Sequence, residues 1–495
     1  MPKFKLSPFL KDIVLTTVTS IVVIISMIFV TRFLAKGLGP DVFGAYSLAR
    51  KIVSFIMPFS TIAMGVSLAR YIAISVDDKQ RNGYLVSSIF IVFSISFVLL
   101  LVGYLGDKSL TILIFHDPKY LILFYSSLFM VIGFGFYTIL YSYYRGIQRM
   151  DMANLWQIVL IAMFPLIISY AFAQKGNVAL IVFLMGLSTY LSIFPLIVFL
   201  RKIKWKGLDQ IKLSFKDLLK YGVPRTPGGI ALAGLLTIGP FLAPYFGTMR
   251  DAGYLVVGQS VFRIMGSSVV AFGMVALPKV SQIFSEGKKD FLRNRIKDIL
   301  AMIIHIGLFA IIQIFIWSNE IVLIWLGKEY LEAVPIIKIF LISLCPYLGY
   351  MILRSIIDAV EERAINTLNL FISFGITVIL SLVLGNTGLG VLGLALGITI
   401  GLLNLGVSTT YFLVKRYKIT LENMKLLWIL FMNCIFAGIA ILTKHYLIEY
   451  FDNVSLLIFI FFIESSLFIS YMWLLHKKDT QWVMELKKRA FSPGV

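Results

Sequence analysis

The chain has 495 residues, 59% of them hydrophobic and only 14% charged, with a formal net charge of +20 and a mean hydropathy of +0.91. A chain this apolar leaves a soluble domain no wettable surface, so its solvent is lipid; a nucleic-acid reader is excluded because the basic residues sit in short loops and not on a folded polar face. The four histidines show no ligand spacing, and Cys345 and Cys434, the only cysteines, fall in apolar segments as small buried hydrophobes, so no metal, cofactor or disulfide is expected.

About 20 apolar residues at 1.5 Å each cross a ~30 Å hydrocarbon core. In chain order, about fourteen such spans are predicted: 12–35, 42–73, 82–106, 119–144, 152–174, 177–200, 218–247, 252–281, 296–317, 333–357, 364–384, 388–414, 421–443 and 454–475. The first follows Lys3, Lys5 and Lys11 but is too long for a signal-peptide core, and Arg32 to Lys36 make a poor cleavage site, so it reads as an uncleaved span. With the N-terminus inside, the inner segments hold about 31 Lys and Arg against about 8 outside, which places both termini in the cytoplasm of a multi-pass cell-membrane protein. The densest basic runs, 201–220 and 279–297, read as orientation signals. In the tail, Trp482, Leu486 and Phe491 among Lys487, Lys488 and Arg489 suit an interfacial helix or a solvated end.

The chain also matches itself at an offset of 209: Leu10-Lys11 with Leu219-Lys220, Gly44 with Gly253, Leu68 with Leu277, Arg70 with Lys279 and Arg145 with Arg354. The offset spans six helices, an even number, so the copies share one orientation about an axis along the membrane normal. The expected fold is an all-α polytopic membrane protein with two pseudo-symmetric six-helix lobes, 1–208 and 209–418, and two extra C-terminal helices in 419–495. The substrate site of such a transporter lies between the lobes near the midplane.

A charge at the bilayer centre costs ~2.5–3.5 kcal/mol on insertion scales, so each one needs a partner, an aqueous cavity or a task. Arg50 and Lys51 lie in the second span, Arg263 in the eighth, Arg225 near the inner end of the seventh and Lys338 in the tenth. The repeat carries Arg263 onto position 54, one turn from Arg50, so the two should face each other across the lobe interface. Acids are scarce at that depth; Asp12, Asp358 and Glu464 are candidates for proton or sodium coupling or are structural. The cavity is therefore expected to be electropositive, and arginine's planar fork suits the phosphate or diphosphate of an anionic head group. The alternative for these cations is snorkelling, or binding backbone carbonyls at helix breaks.

Gly222, Pro224, Pro227, Gly228 and Gly229 should break or kink the seventh span, as a gate or as a static kink. Gly393, Gly397 and Gly401 repeat every four residues, a pattern that lets another helix approach closely. No nucleophile or paired-carboxylate constellation stands out, and the longest outer segment, 318–332, is short for a catalytic loop, so the chain is not read as an enzyme.

The turn Phe33-Leu34-Ala35-Lys36-Gly37-Leu38-Gly39-Pro40 with Phe43-Gly44-Ala45-Tyr46, the run Tyr144-Arg145-Gly146, and Tyr221-Gly222-Val223-Pro224-Arg225-Thr226-Pro227 resemble the polysaccharide-repeat flippases. These belong to the multidrug/oligosaccharidyl-lipid/polysaccharide exporter superfamily, shared with the multidrug and toxin extrusion (MATE) exporters and the lipid II flippase. The resemblance implies a MATE-like fold and translocation of a polyprenyl-diphosphate-linked oligosaccharide to the outer leaflet, for surface-polysaccharide assembly. Lipid II flippases carry functional arginines on helices one, two and eight; Arg50 and Arg263 match the latter two, whereas the first helix here has only Arg32 near its outer end. In that branch the last two helices form a lipid-tail groove, here 421–475. A cation-coupled MATE-type exporter is the alternative; it binds cationic drugs and needs carboxylates in its cavity, so the sign of the cavity charge separates the two.

Overall fold

The computed structural model describes residues 8–201, 208–266, 289–360, 365–419 and 426–447, with scattered positions between 455 and 473. Glu464, the tail 478–491, the far part of the predicted eighth span and the repeat positions Leu277 and Lys279 lie outside the described residues. Those described are helical with no strand, and ten segments among them are long and apolar enough to cross a membrane.

The first element, α1 (Pro8–Thr61), takes in the first predicted span and most of the second, and folds sharply at Gly39 (φ 72°, ψ 167°). The positive φ is open to glycine at little cost, and the extended ψ is what Pro40 demands of the residue before it. The continuous segment Val14–Ile74 has 61 residues; at 1.5 Å each that is roughly 90 Å, about three times the bilayer core. A second break at Ile62 and Ala63 (φ 41° and 55°) separates α1 from α2 (Met64–Ile74).

α3 (Asp78–Leu105) starts where Asp77 accepts the Gln80 amide at 2.7 Å. It buries Ser87, Ser88 and Ser96 while Phe90, Phe93 and Phe97 are 59–61% exposed. Small residues face inward and large apolar ones outward, as expected when lipid and not water surrounds the bundle. After α4 (Asp107–Phe115) and α5 (Leu121–Gly146), α6 (Met150–Gln157) widens through Ile158–Met163 before α7 (Phe164–Phe172). Pro165 lacks an amide hydrogen, and the wide turn, with Ser26 Oγ donating to the Ala162 carbonyl at 2.8 Å, absorbs the disturbed ladder. α8 (Val178–Thr189), capped by Asn177, and α9 (Ile193–Arg201) complete the N-terminal half.

The basic run 201–220, read above only as an orientation signal, is not merely a loop. Its second part forms α10 (Leu208–Gly222), which lies on α3 through Tyr84 Oη donating to Asp217 Oδ2 (3.0 Å) and Ser87 Oγ to the Ile211 carbonyl (2.9 Å). Lys212, Lys216 and Lys220 point away, one turn apart, and that helical period is hidden when the segment is read as a run of charge.

A tight turn, Val223–Arg225, leads into α11 (Thr226–Phe246); α12 (249–266), α13 (Lys289–Trp325), α14 (Val334–Leu341), α15 (Leu344–Val360), α16 (Ile365–Leu384), α17 (Gly390–Tyr417) and α18 (Leu426–Leu447) follow. The tenth predicted span falls within one apolar crossing, Lys328–Asp358, whose helix breaks at Ile342 and Ser343. One expectation is corrected: Cys434, expected to be buried, is exposed on α18, while Cys345 is partly buried beside Gly307.

The glycine stripe on α17 does what its spacing predicts. A Cβ at Gly393 would lie 2.4 Å from the Leu384 carbonyl oxygen, one at Gly397 2.6 Å from the Ser381 amide nitrogen, and one at Gly401 1.8 Å from Thr377 Oγ1. Gly401→Val is therefore expected to force α16 and α17 apart, at about 3 kcal/mol if typical overpacking costs apply. A fall of several degrees in the melting temperature of the detergent-solubilised protein is the check; an unchanged value would show that the helices can separate freely.

Candidate functional site

Helices from the N-terminal and C-terminal parts of the chain come into close contact. A Cβ at Gly44 would lie 1.9 Å from the Met249 carbonyl oxygen, and Gly253, 209 positions after Gly44, lies against Gly44 itself. Arg250 donates to Asp41 at 3.0 Å, again across 209 positions. Toward the other end of these helices, Gly222 lies beneath the Ile62 carbonyl, where a Cβ would come within 2.3 Å, and Gly229 faces Pro58. The break in α1–α2 and the break before α11 thus meet. Of the five residues expected to break the seventh span, Gly222 and Pro224 lie at the break, Pro227 is at the start of α11, and Gly228 and Gly229 are in its first turns.

Between these contacts lies a cavity of about 320 Å³, walled by α1, α11, α12 and α15. Arg50, Lys51 and Arg263 all line it, with Ser47, Gln259 and Tyr347 among its polar neighbours. No carboxylate lines it among the described residues, and none of the ion pairs found there falls in it. Arg50 packs its guanidinium 5.7 Å from the Phe134 ring centroid and 3.3 Å from Met130 Sδ, contacts that orient the charge without cancelling it. Arg50 and Arg263 lie within electrostatic range of each other. Two like charges on the wall of one cavity repel, and an anion between them removes that cost.

Arg263 also borders a smaller hollow of about 80 Å³ walled by Val23, Ile24, Met27, Ile28, Ile264 and Trp325. Arg263 thus lies between a polar cavity and an apolar one.

The remaining candidates lie elsewhere. Arg225 is exposed, stacks on Tyr221 at 3.6 Å and donates to the Tyr221 carbonyl at 3.0 Å. Lys338, on α14, points over the Phe315 ring at 4.8 Å. Neither lines the cavity. Arg32 donates to the Ile324 carbonyl (2.5 Å) and that of Trp325 (3.3 Å), closing the C-terminal end of α13. Asp358 accepts from Asn366 Nδ2 at 2.7 Å and lies within range of Arg354 and Arg225, away from the cavity; Asp12 is likewise outside it. Ser47, Gln259 and Tyr347 went unnoticed in the sequence because neutral residues in apolar helices stand out by no charge or spacing. The offset of 209 was the available signal, since it carries Arg50 onto Gln259.

Residues 10–284 match the profile of the family described as polysaccharide biosynthesis protein. The chain belongs to that family. Residues 262–462 also match the profile of the lipid II flippase MurJ. The "Putative O-antigen transporter" of Shigella flexneri is 26% identical over 354 residues, covering 68% of this chain and 81% of that one. In fold, the chain is similar to lipid II flippase MurJ in an inward closed conformation, with a TM-score of 0.73 at 16% identity over 94% of this chain and 98% of the other. An inward-facing multidrug resistance MATE transporter gives 0.67 at 13% identity, over 81% of this chain and 98% of that one. The member of the polysaccharide biosynthesis family described here is thus a multi-pass membrane protein with a MurJ- and MATE-like fold.

Proposed function

We infer that this chain is a flippase that carries a polyprenyl-diphosphate-linked oligosaccharide from the cytoplasmic to the outer leaflet of the cell membrane, for surface-polysaccharide biosynthesis, and that it is not an enzyme. Family membership and the O-antigen transporter relative support the class. The observation that carries the substrate chemistry is the cavity with three cations and no carboxylate among the described residues. Arg50 and Arg263 are the principal diphosphate ligands and Lys51 an accessory one; Arg225 and Lys338, outside the cavity, are anchors. The apolar hollow on the far side of Arg263 suits the start of a lipid chain.

The same reading holds fourteen crossings, arranged as a lobe of six in 1–208, a second in 209–418 and two more helices in 419–495, with both termini cytoplasmic. A segment of 61 residues with room for two spans, and helices at 249–266 and Leu426–Leu447, support a count above the ten that meet the length and composition test. At ~30 Å³ per water, the cavity holds about ten waters, room for a diphosphate-sized head and not for several sugars. Transport therefore requires the lobes to part, by alternating access, with the Gly222–Gly229 segment against Ile62 as the cytoplasmic gate and Gly44–Gly253 at the outer side. Coupling to a proton or sodium ion through Asp12, Asp358 or Glu464 belongs to this reading, and Asp358, held by Asn366 near two arginines, is the best placed of them. The MATE-type exporter of cationic drugs is favoured by fold similarity alone, and the cavity has the wrong sign for its cargo.

Binding of a polyprenyl diphosphate to the purified protein, with a lipophilic cation as control, tests the assignment. The diphosphate is expected to bind and the cation not, with Arg50→Ala and Arg263→Ala each weakening it tenfold or more, about 1.4 kcal/mol. Preference for the cation would overturn it.

A further inference from the structure

Lys51 differs from the arginines beside it. It rises from α1 in the N-terminal half, yet its ammonium is held by the C-terminal half: Nζ donates to the Leu236 carbonyl on α11 at 2.7 Å and to Gln259 Oε1 on α12 at 2.5 Å. The first acceptor has a clear origin. Pro240 carries no amide hydrogen, so the carbonyl four residues back, that of Leu236, loses its helical partner and stands open to an outside donor. Both acceptors are neutral. Two further groups on the cavity wall, Gln259 Nε2 and Ser47 Oγ, are buried and have no hydrogen-bond partner among the described residues. A fully satisfied structural cap would not leave its own partner with an idle donor.

We propose that Lys51 is the residue through which an arriving phosphate or diphosphate loosens the two halves, and that Gln259 and Ser47 are the donors it thereby recruits to the ligand. This rests on the anion-binding reading of the cavity. With no ligand, the ammonium bridges α1 to α11 and α12. An anion drawn between Arg50 and Arg263 offers Lys51 an ionised acceptor in place of two neutral ones, and a charge-assisted contact between ions outlasts one between an ion and a dipole. Lys51 turns to the anion, the bridge between the halves is lost, and the Gln259 side chain is free to present its amide hydrogens beside the Ser47 hydroxyl. A ligand shifts a two-state equilibrium only by its differential affinity for the two states, and this exchange of partners supplies such a difference. A lipophilic cation cannot trigger it.

The test uses the full chain with Cys345→Ser and Cys434→Ser, spin-labelled at Lys79→Cys on α3 and Lys415→Cys on α17, both exposed. Distances between the labels are measured with and without farnesyl diphosphate, with farnesol as control, and affinity is measured by calorimetry. Farnesyl diphosphate is expected to move the distance distribution and farnesol not to. Lys51→Met, without ligand, is expected to show the distribution that diphosphate induces in the parent, with little further change on addition. Gln259→Ala should lie between the two. If Lys51→Met keeps the parent's ligand-free distribution and its full response to diphosphate, or adopts a distribution seen in neither state, Lys51 is a plain ligand or a structural cap and the proposal fails. If the parent binds no diphosphate at all, the cavity assignment falls as well, so the two failures are distinguishable.

Discussion

Gly44→Leu is expected to abolish export, read as loss of surface polysaccharide in cells that depend on the plasmid-borne gene. Any side chain at this position starts 1.9 Å from the Met249 carbonyl oxygen and 2.7 Å from its carbon, and both are backbone atoms that no rotamer change can move. The helices must separate where Gly44 meets Met249, beside the Asp41–Arg250 pair. Overpacking of a side chain into a core costs ~1–3 kcal/mol; a backbone-to-backbone clash belongs at the top of that range, so a lower melting temperature should accompany the lost activity. Gly375→Leu is the matched control, because a Cβ there meets nothing within 4 Å and the residue faces away from its neighbours. It is expected to export normally. Wild-type export by Gly44→Leu would mean that this close approach has no place in the working cycle.

The second large effect is reversal of charge in the cavity. Arg50→Glu combined with Arg263→Glu is expected to weaken polyprenyl diphosphate binding more than a hundredfold and to create measurable affinity for a lipophilic cation. At ~4 Å and an effective dielectric near 20, one arginine–phosphate contact is worth on the order of 4 kcal/mol before desolvation. Reversing its sign doubles the swing to ~8 kcal/mol, and even half of that exceeds the ~2.7 kcal/mol that a hundredfold represents. Arg225→Glu serves as the positional control: its guanidinium stacks on Tyr221 outside the cavity, and less than threefold weakening is expected. Equal losses from Arg225→Glu would show that the diphosphate contact lies nearer the break before α11 than the cavity geometry places it. A monodisperse size-exclusion profile for each variant separates these outcomes from misfolding.

A few side chains can change the sign of a cavity without changing the helices that wall it, because the helices are placed by small-residue contacts such as Gly44 with Met249.

Hydropathy and periodicity by themselves determined that this is a multi-pass helical membrane protein, where most of its apolar segments begin and end, and that α16 and α17 pack along a glycine stripe. Lipid imposes those features segment by segment, since each crossing must satisfy its own backbone hydrogen bonds and present apolar side chains outward. The offset of 209 also drew attention to Arg50 and Arg263 together, and both line the same cavity. Only the tertiary structure decided which cations share a space. Lys338 and Arg263 are alike in sequence, each a charge in an apolar run, yet α14 turns one onto Phe315 and α12 turns the other into the cavity. The partner of Lys51 was likewise beyond sequence reasoning: Pro240 marks an open carbonyl at Leu236, but that it opens toward α1 depends on how two distant helices cross. Rotation of a helix about its own axis leaves its hydropathy unchanged and alters every contact it makes, and that is the part of the site that packing alone could supply.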